Sequence, residues 1–191
     1  AVARLHGLKE QHVVFAQQNP AVIDAGVFHN DVIAVGNGLV SFYHQQAFLN
    51  PKQVSHDLQS AINQAGHGEM QFIEVPNNQV SVQDAVTSYL FNSQLLCLPH
   101  LAPGKMAMVV PQECHSNVKV SAYLDELVAG DNAIDQILTF DLQQSMSNAG
   151  GPARLRLRAV VNAAEHSAVN PTSTVPTTHP TLPRSYYVNS S

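Results

Sequence analysis

Residues 145–158 read Ser-Met-Ser-Asn-Ala-Gly-Gly-Pro-Ala-Arg-Leu-Arg-Leu-Arg, a tight glycine turn running into an alternating segment. Leu155, Leu157 and Ala159 alternate with Arg156 and Arg158, the pattern of a half-buried strand. A turn at the mouth of a strand is where enzymes often expose a reacting side chain. A second group with chemical potential is Phe28-His29-Asn30-Asp31. An imidazole with an ordinary pKa of ~6.5 suits proton transfer near neutrality. Placed in a hairpin turn at a strand end, His29 is followed two residues on by Asp31, on the same side of an extended strand. A carboxylate there is a natural partner for a planar cation, through two parallel hydrogen bonds. Read as residues alone, each has a plainer explanation: a histidine filling a turn, a turn aspartate, and at Asn148 an asparagine bracing its own glycine-rich backbone. The two thiols are Cys97, in an apolar run, and Cys114, in Pro-Gln-Glu-Cys. Both read as small buried hydrophobes rather than nucleophiles.

The elements that must position these residues occur in two similar units. The first has apolar segments at 21–28, 32–35 and 39–44. Asn50-Pro51 then supplies an N-cap and a first helical position. Val54, Leu58, Ala61 and Ile62 share one helical face, Gly66 can stop the helix, and 70–75 returns as a strand. The second unit opens with 88–97 and 106–111, a hairpin with Pro103-Gly104 in its turn. Ser116 is the expected cap of a helix carrying Val120, Tyr123, Leu124, Leu127 and Val128 at helical spacing. Residues 137–140 form the returning strand, and 155–161 opens a further unit. Repeated strand-strand-helix-strand units predict an α/β architecture assembled from similar modules.

Bulk composition narrows the functional classes. A chain of 191 residues with 45% hydrophobic content can bury one sizeable core. A net charge of −5 and pI near 6.0 leave no basic patch, which argues against a nucleic-acid partner. No apolar run approaches the ~20 residues that cross a bilayer, and no charged-then-apolar start marks a signal peptide. The start at Ala1, inside what reads as domain sequence, leads us to expect a fragment. Two cysteines without metal spacing or a disulfide framework fit a reducing cytoplasm. Ten histidines lack the i, i+4 pairing of a helical metal site, so most are expected at the surface or hydrogen-bonded.

Several blocks, in order along residues 1–171, resemble the N-succinylarginine dihydrolases of the pentein, or guanidine-modifying, superfamily. They are His6-Gly-Leu-Lys-Glu, His12-Val-Val-Phe-Ala-Gln-Gln-Asn-Pro20, Gly26-Val-Phe-His-Asn-Asp-Val-Ile-Ala-Val35, Gln79-Val-Ser-Val-Gln-Asp84, Tyr89-Leu-Phe-Asn-Ser-Gln-Leu-Leu96, Pro111-Gln-Glu-Cys114, Phe140-Asp-Leu142 and the glycine loop. In that family the loop runs Asn-Gly-Gly-Gly-Pro-Ala-Cys-Leu-Arg-Leu-Arg, with the cysteine as nucleophile; here its position is Arg154. The resemblance implies a partial pentein α/β propeller, about two modules and part of a third. It also implies a small guanidino substrate, no metal or organic cofactor, and an assembly in which a homodimer is open.

By position, the resemblance implies that His29 is the general acid/base and that Asp31 and Asn148 bind substrate. The implied reaction is hydrolysis of N2-succinyl-L-arginine in bacterial arginine catabolism. Arginine has five donors, no acceptor and a permanent charge, so with Arg154 in the nucleophile position the chain as written is expected to be inactive. A non-catalytic decayed remnant is the alternative, and another guanidine-modifying pentein is a weaker one. Beyond residue 171 the likeness ends. Residues 172–191 carry Pro176, Pro180 and Pro183 among threonines and serines, a composition expected to stay disordered. A shifted reading frame or a decayed gene would explain so abrupt a change.

Overall fold

A computed structural model describes residues 2–98 and 100–141 of the chain. The elements begin with a short N-terminal helix α1 (Val2–Leu5) and α2 (Pro20–Asp24). The first unit continues with strands β1 (Ala34–Asn37) and β2 (Val40–His44), helix α3 (Pro51–Gln64) and β3 (Gln71–Val75). After α4 (Val82–Thr87) comes the second, with β4 (Gln94–Leu96), β5 (Met106–Pro111), α5 (Gln112–Ser116), α6 (Val118–Ala129) and β6 (Ile134–Phe140). Each unit is a three-stranded sheet with one antiparallel and one parallel ladder. β1 pairs antiparallel with β2 and β2 parallel with β3; β4, β5 and β6 repeat that arrangement. The predicted hairpin-helix-strand order is therefore observed twice. Both sheets are open, and neither closes into a barrel or propeller within the described residues.

Local chemistry accounts for the element ends. Pro51 opens α3 with the φ it prefers. α3 stops where Gly66 takes φ +80; Gly66 N–H then donates to Asn63 O (3.0 Å) and His67 N–H to Ile62 O (3.1 Å), a Schellman closure. Pro103-Gly104 makes the turn ahead of β5, with Gly104 at φ +82 and Lys105 N–H donating to Ala102 O at 3.0 Å.

Four expectations need correction. Asn117, not Ser116, caps α6: its side-chain oxygen accepts from Lys119 N–H (3.1 Å) and Val120 N–H (3.2 Å). Ser116 instead ends α5 and donates to Gln112 O. Residues 88–93 are not strand, because Tyr89 adopts φ 57, ψ 31 and Leu90–Asn92 form a 3-10 turn. Residues 21–28 begin inside α2, where Asn19 accepts from Ala21 N–H. β6 also starts three positions earlier than the predicted 137, its Ile134 paired with Met106. The further strand at 155–161 and the tail at 172–191 lie outside the described residues. Among the described residues no helix is long and apolar enough to cross a membrane.

One core serves both units. Val35, Val40, Phe42, Ile73 and Val75 of the first sheet pack with Leu90, Phe91, Leu95, Met108 and Tyr123 of the second unit. Phe42 and Phe91 meet at 5.1 Å between ring centroids, and both are fully buried. The opposite face of the first sheet, through Ala34, Tyr43 and Phe72, covers a smaller cluster with Val22 of α2 and Val82 and Val86 of α4.

Two polar clamps join what the core brings together. His44, at the end of β2, is fully buried. Gln46 N–H donates to its Nδ1 (3.1 Å), so in the neutral ring Nε2 carries the hydrogen and donates to Val80 O (2.9 Å). Asp84 completes a capping box with Ser81, accepts from the Asn117 amide (3.1 Å), and pairs with Lys119 Nζ at 3.1 Å. Those bonds, led by the Ser81 hydroxyl and then Asn117, hold its carboxyl well below the usual carboxylate range. Asp84 thus ties α4 to α6.

Both clamps weaken in acid, over different ranges. Burial pushes the His44 imidazole below its ordinary value, against opposing contributions from Val80 O and Glu74. The unfolded chain takes up that proton near pH ~6.5 and the folded chain only at lower pH. Stability present above ~6.5 is therefore lost as pH falls towards the folded value. Urea denaturation is expected to show a lower midpoint at about pH 5.5 than at about pH 7.5, and His44→Leu should shrink that difference. At the higher pH His44→Leu should itself cost about 1–3 kcal/mol, because the Gln46 N–H and Val80 O lose their partner. Asp84 works in the carboxylate range, with a contribution that holds above ~pH 4 and falls away below it. Asp84→Ala is expected to cost about 1–2 kcal/mol near neutrality, with the gap to wild type narrowing below ~pH 4.

Candidate functional site

The approach to β1 is built by a helix stop and a 3-10 turn. α2 ends at Gly26, whose φ of +100 suits glycine, and Val27 is then fully buried. Gln18 fastens this segment by donating its side-chain amide to Val27 O at 2.8 Å. With Val27 anchored, Phe28 and His29 emerge into solvent. Asn30–Val32 form the turn, and Ile33, fully buried, leads into β1.

His29 is the N-cap of that turn. Its backbone is extended (φ −154, ψ 162), and its carbonyl accepts from Val32 N–H at 3.2 Å. The imidazole meets the Phe28 ring edge to face, 4.5 Å between centroids. His29 is thus exposed and braced on one side by an aromatic ring, a suitable setting for a group that exchanges protons with a ligand.

Asp31 lies inside the 3-10 turn. This overturns the expected hairpin turn and extended strand. With three residues per turn the two-residue alternation of a strand does not apply, so His29 and Asp31 are not stacked on one strand face. They remain neighbours in a single turn, at the end of the first sheet where β1 begins and β2 ends. Arg154 and Asn148 lie outside the described residues.

A second 3-10 turn packs against the first. Leu90–Asn92 touches Asn30–Val32, with Ser93 leading into β4 as Ile33 leads into β1. Ser93 is fully buried, and its hydroxyl has no hydrogen-bond partner among the described residues. At the other end of β1, the Asn37 amide donates to Leu95 O (3.1 Å) and reaches Cys97 Sγ at 3.9 Å. The beginnings of the two units are thus held together at both ends of β1.

The thiols behave differently from a nucleophile. Cys114 is fully buried and donates to Ser88 O at 3.2 Å; burial pushes its pKa up to about 12. It stays protonated at any physiological pH. Cys97 is half-buried against the shared core.

A cavity of about 500 Å3 lies at the opposite end of the strands, between Leu39, Gln71, Lys105 and Asp131. Its inner polar groups are already committed. Lys105 Nζ donates to Asn132 O (2.7 Å), and Ala133 N–H donates to Gln71 Oε1 (2.5 Å). With these groups occupied, and with His29 at the other end of β1, this cavity is separate from the candidate site.

Sequence reasoning did not single out His44, Asp84 or Tyr89. Asp84 carried a legible signal, because Ser81-Val82-Gln83-Asp84 has the spacing of a capping box. His44 carried none, since its burial depends on distant neighbours, and Tyr89 none, since a left-handed helix stop is ordinarily a glycine position.

Comparison with known proteins bears directly on this arrangement. The model of the succinylarginine dihydrolase family matches residues 1–182, past the 1–171 block read from the sequence. The chain is 58% identical over 171 residues to the N-succinylarginine dihydrolase of Pseudomonas syringae pv. syringae (strain B728a). Identity is 59% to that of Ectopseudomonas mendocina (strain ymp) and 56% to that of Pseudomonas aeruginosa (strain LESB58), over the same length. Each alignment covers 90% of this chain and 37% of the relative, so the chain spans just over a third of the length of the curated relatives it matches. With a family match that begins at the first residue and takes in both units and the His29 turn, the chain belongs to the succinylarginine dihydrolase family.

Proposed function

We propose that this chain corresponds to the His29-bearing portion of an N-succinylarginine dihydrolase. That enzyme would convert N2-succinyl-L-arginine to N2-succinyl-L-ornithine, ammonia and carbon dioxide in cytoplasmic arginine catabolism. The observation that carries the reading is 58% identity over nine-tenths of the chain to a protein of that name. In this reading the two strand-strand-helix-strand units are neighbouring modules of a pentein propeller. The complete protein would work on a small guanidino substrate, as a monomer or homodimer.

The chemistry assigns each group a separate role. Asp31 accepts hydrogen bonds from the planar guanidinium and fixes its orientation, and Asn148 contacts the same substrate. A thiolate at position 154 adds to the guanidinium carbon, giving a covalent amidino intermediate. His29 hands a proton to the departing ammonia and then takes one from the attacking water, which leaves a ureido group. A second round of thiolate attack, ammonia loss and water attack leaves a carbamate that releases carbon dioxide and the ornithine amine. A bound guanidinium favours the thiolate form, since a nearby cation lowers a thiol pKa. Arg154 supplies no lone pair and places a like charge where the cationic substrate would sit. That single residue favours the second reading, a remnant that keeps the fold and has lost the chemistry.

Ammonia release from N2-succinyl-L-arginine separates the two. As written, the chain should release none. Arg154→Cys alone should not rescue it, because the chain spans only 37% of its relatives. In a chain completed with the unmatched portions of the Pseudomonas syringae relative, the same change should raise turnover by about 10⁶-fold. Turnover by the unmodified chain would defeat the nucleophile assignment, and an inactive completed chain with its thiol restored would defeat the functional reading. In that active form His29→Gln should cost about 10²–10⁴-fold in kcat, with a much smaller change in KM, as expected for loss of proton transfer.

A further inference from the structure

We propose that Tyr89 is a positioning residue of the guanidino-substrate site, its ring lying against the planar cation oriented by Asp31. This inference rests on the functional reading above and adds to it a group from the second unit. The two 3-10 turns stand sixty positions apart, Asn30–Val32 and Leu90–Asn92, and the strands they feed begin at Ala34 and Gln94, the same distance apart. At that offset Tyr89 stands where His29 stands: each is the N-cap of its turn. Because the turns pack against each other, the two caps belong to the same end of the fold.

The backbone at Tyr89 is the second, independent observation. Tyr89 occupies the left-handed position that closes α4, its N–H donating to Val86 O at 3.2 Å. The equivalent stops after α2 and α3 are Gly26 and Gly66, the residue type that takes this conformation freely. Among the described residues Tyr89 is the one non-glycine with positive φ. Glycine would satisfy the helix stop with less strain, and a large ring would normally be retained there for packing. Tyr89 does not serve packing in this way. Its neighbours Leu90 and Phe91 are fully buried, whereas Tyr89 remains 40% exposed. A strained, exposed aromatic residue on the turn beside His29 and Asp31 has the properties of a ligand contact.

The ligand chemistry follows from the ring. A guanidinium is planar and weakly hydrated, and it stacks on an aromatic face while its edge bonds to a carboxylate. Asp31 supplies the edge partner and Tyr89 the face, which together restrict both the position and the tilt of the cation. The ring face, rather than the phenol hydroxyl, carries the effect.

The test uses the completed chain with Arg154→Cys as parent, carrying Tyr89→Phe, Tyr89→Leu, Tyr89→Gly or Asp31→Asn. Steady-state kinetics with N2-succinyl-L-arginine are read alongside thermal unfolding. Tyr89→Leu and Tyr89→Gly should raise KM by roughly 2- to 30-fold with kcat little changed, and Tyr89→Phe should stay near the parent. Tyr89→Gly should melt no lower than the parent, so its KM change is not a folding defect. An unchanged KM in Tyr89→Leu and Tyr89→Gly, with Asp31→Asn raising it, overturns this inference and leaves the functional reading standing. A loss in Tyr89→Phe equal to that in Tyr89→Leu overturns the stacking role. A parent without turnover overturns both.

Discussion

The fold depends on the contact between Phe42 and Phe91. Phe42 comes from the middle strand of the first sheet and Phe91 from the turn that opens the second unit. With centroids at 5.1 Å and both rings excluded from water, they form the centre of one core shared by two units. Full burial of a phenylalanine is worth about 1.5–3 kcal/mol. An exposed ion pair such as Lys119–Asp84 is worth at most about 1 kcal/mol. Apolar burial therefore decides how the units sit, and the polar clamps then fix the register. His44 shows the order of these effects: its ring faces Phe91 edge-on at 6.4 Å, and its two nitrogens bond to Gln46 and Val80.

The same contact sets the candidate site. Phe91 lies inside the 3-10 turn Leu90–Asn92, so burying it against Phe42 brings that turn onto Asn30–Val32. His29 and Tyr89 cap these two turns. The closeness of the two turns follows from core packing. The two caps differ in backbone: His29 is extended and Tyr89 left-handed, so the repeat conserves position while changing the direction in which the chain arrives.

Family membership and the residue at position 154 pull in different directions. The units, the His29 turn and the surrounding blocks are those of the succinylarginine dihydrolase family. Cys114, a thiol with a defined environment, is no substitute nucleophile, because burial holds it protonated at any physiological pH. The core shared by the two units, over the described residues, is built from apolar side chains between Val35 and Ile137. In the proposed reading, scaffold and chemistry are separable for a physical reason: apolar burial maintains the one and a single reacting atom the other.

What the sequence by itself determined is what local chemistry dictates. Pro51 and Gly66 bounded α3, Pro103-Gly104 made its turn, and the periods of two and 3.6 separated β2 and β5 from α3 and α6. The family blocks were legible for the same reason, being contiguous residues. The His29–Asp31 stretch reads as extended in the sequence because a three-residue turn is too short to show a period. Ser116 and Asn117 are both good cap types, and only the tertiary structure selects Asn117, which accepts from Lys119 and Val120 N–H and donates to Asp84. The burial of His44 and the packing of the two turns were decided by the tertiary structure alone. Each depends on atoms thirty or more positions away, and no local pattern of residues encodes a contact whose partner is chosen by how the core closes.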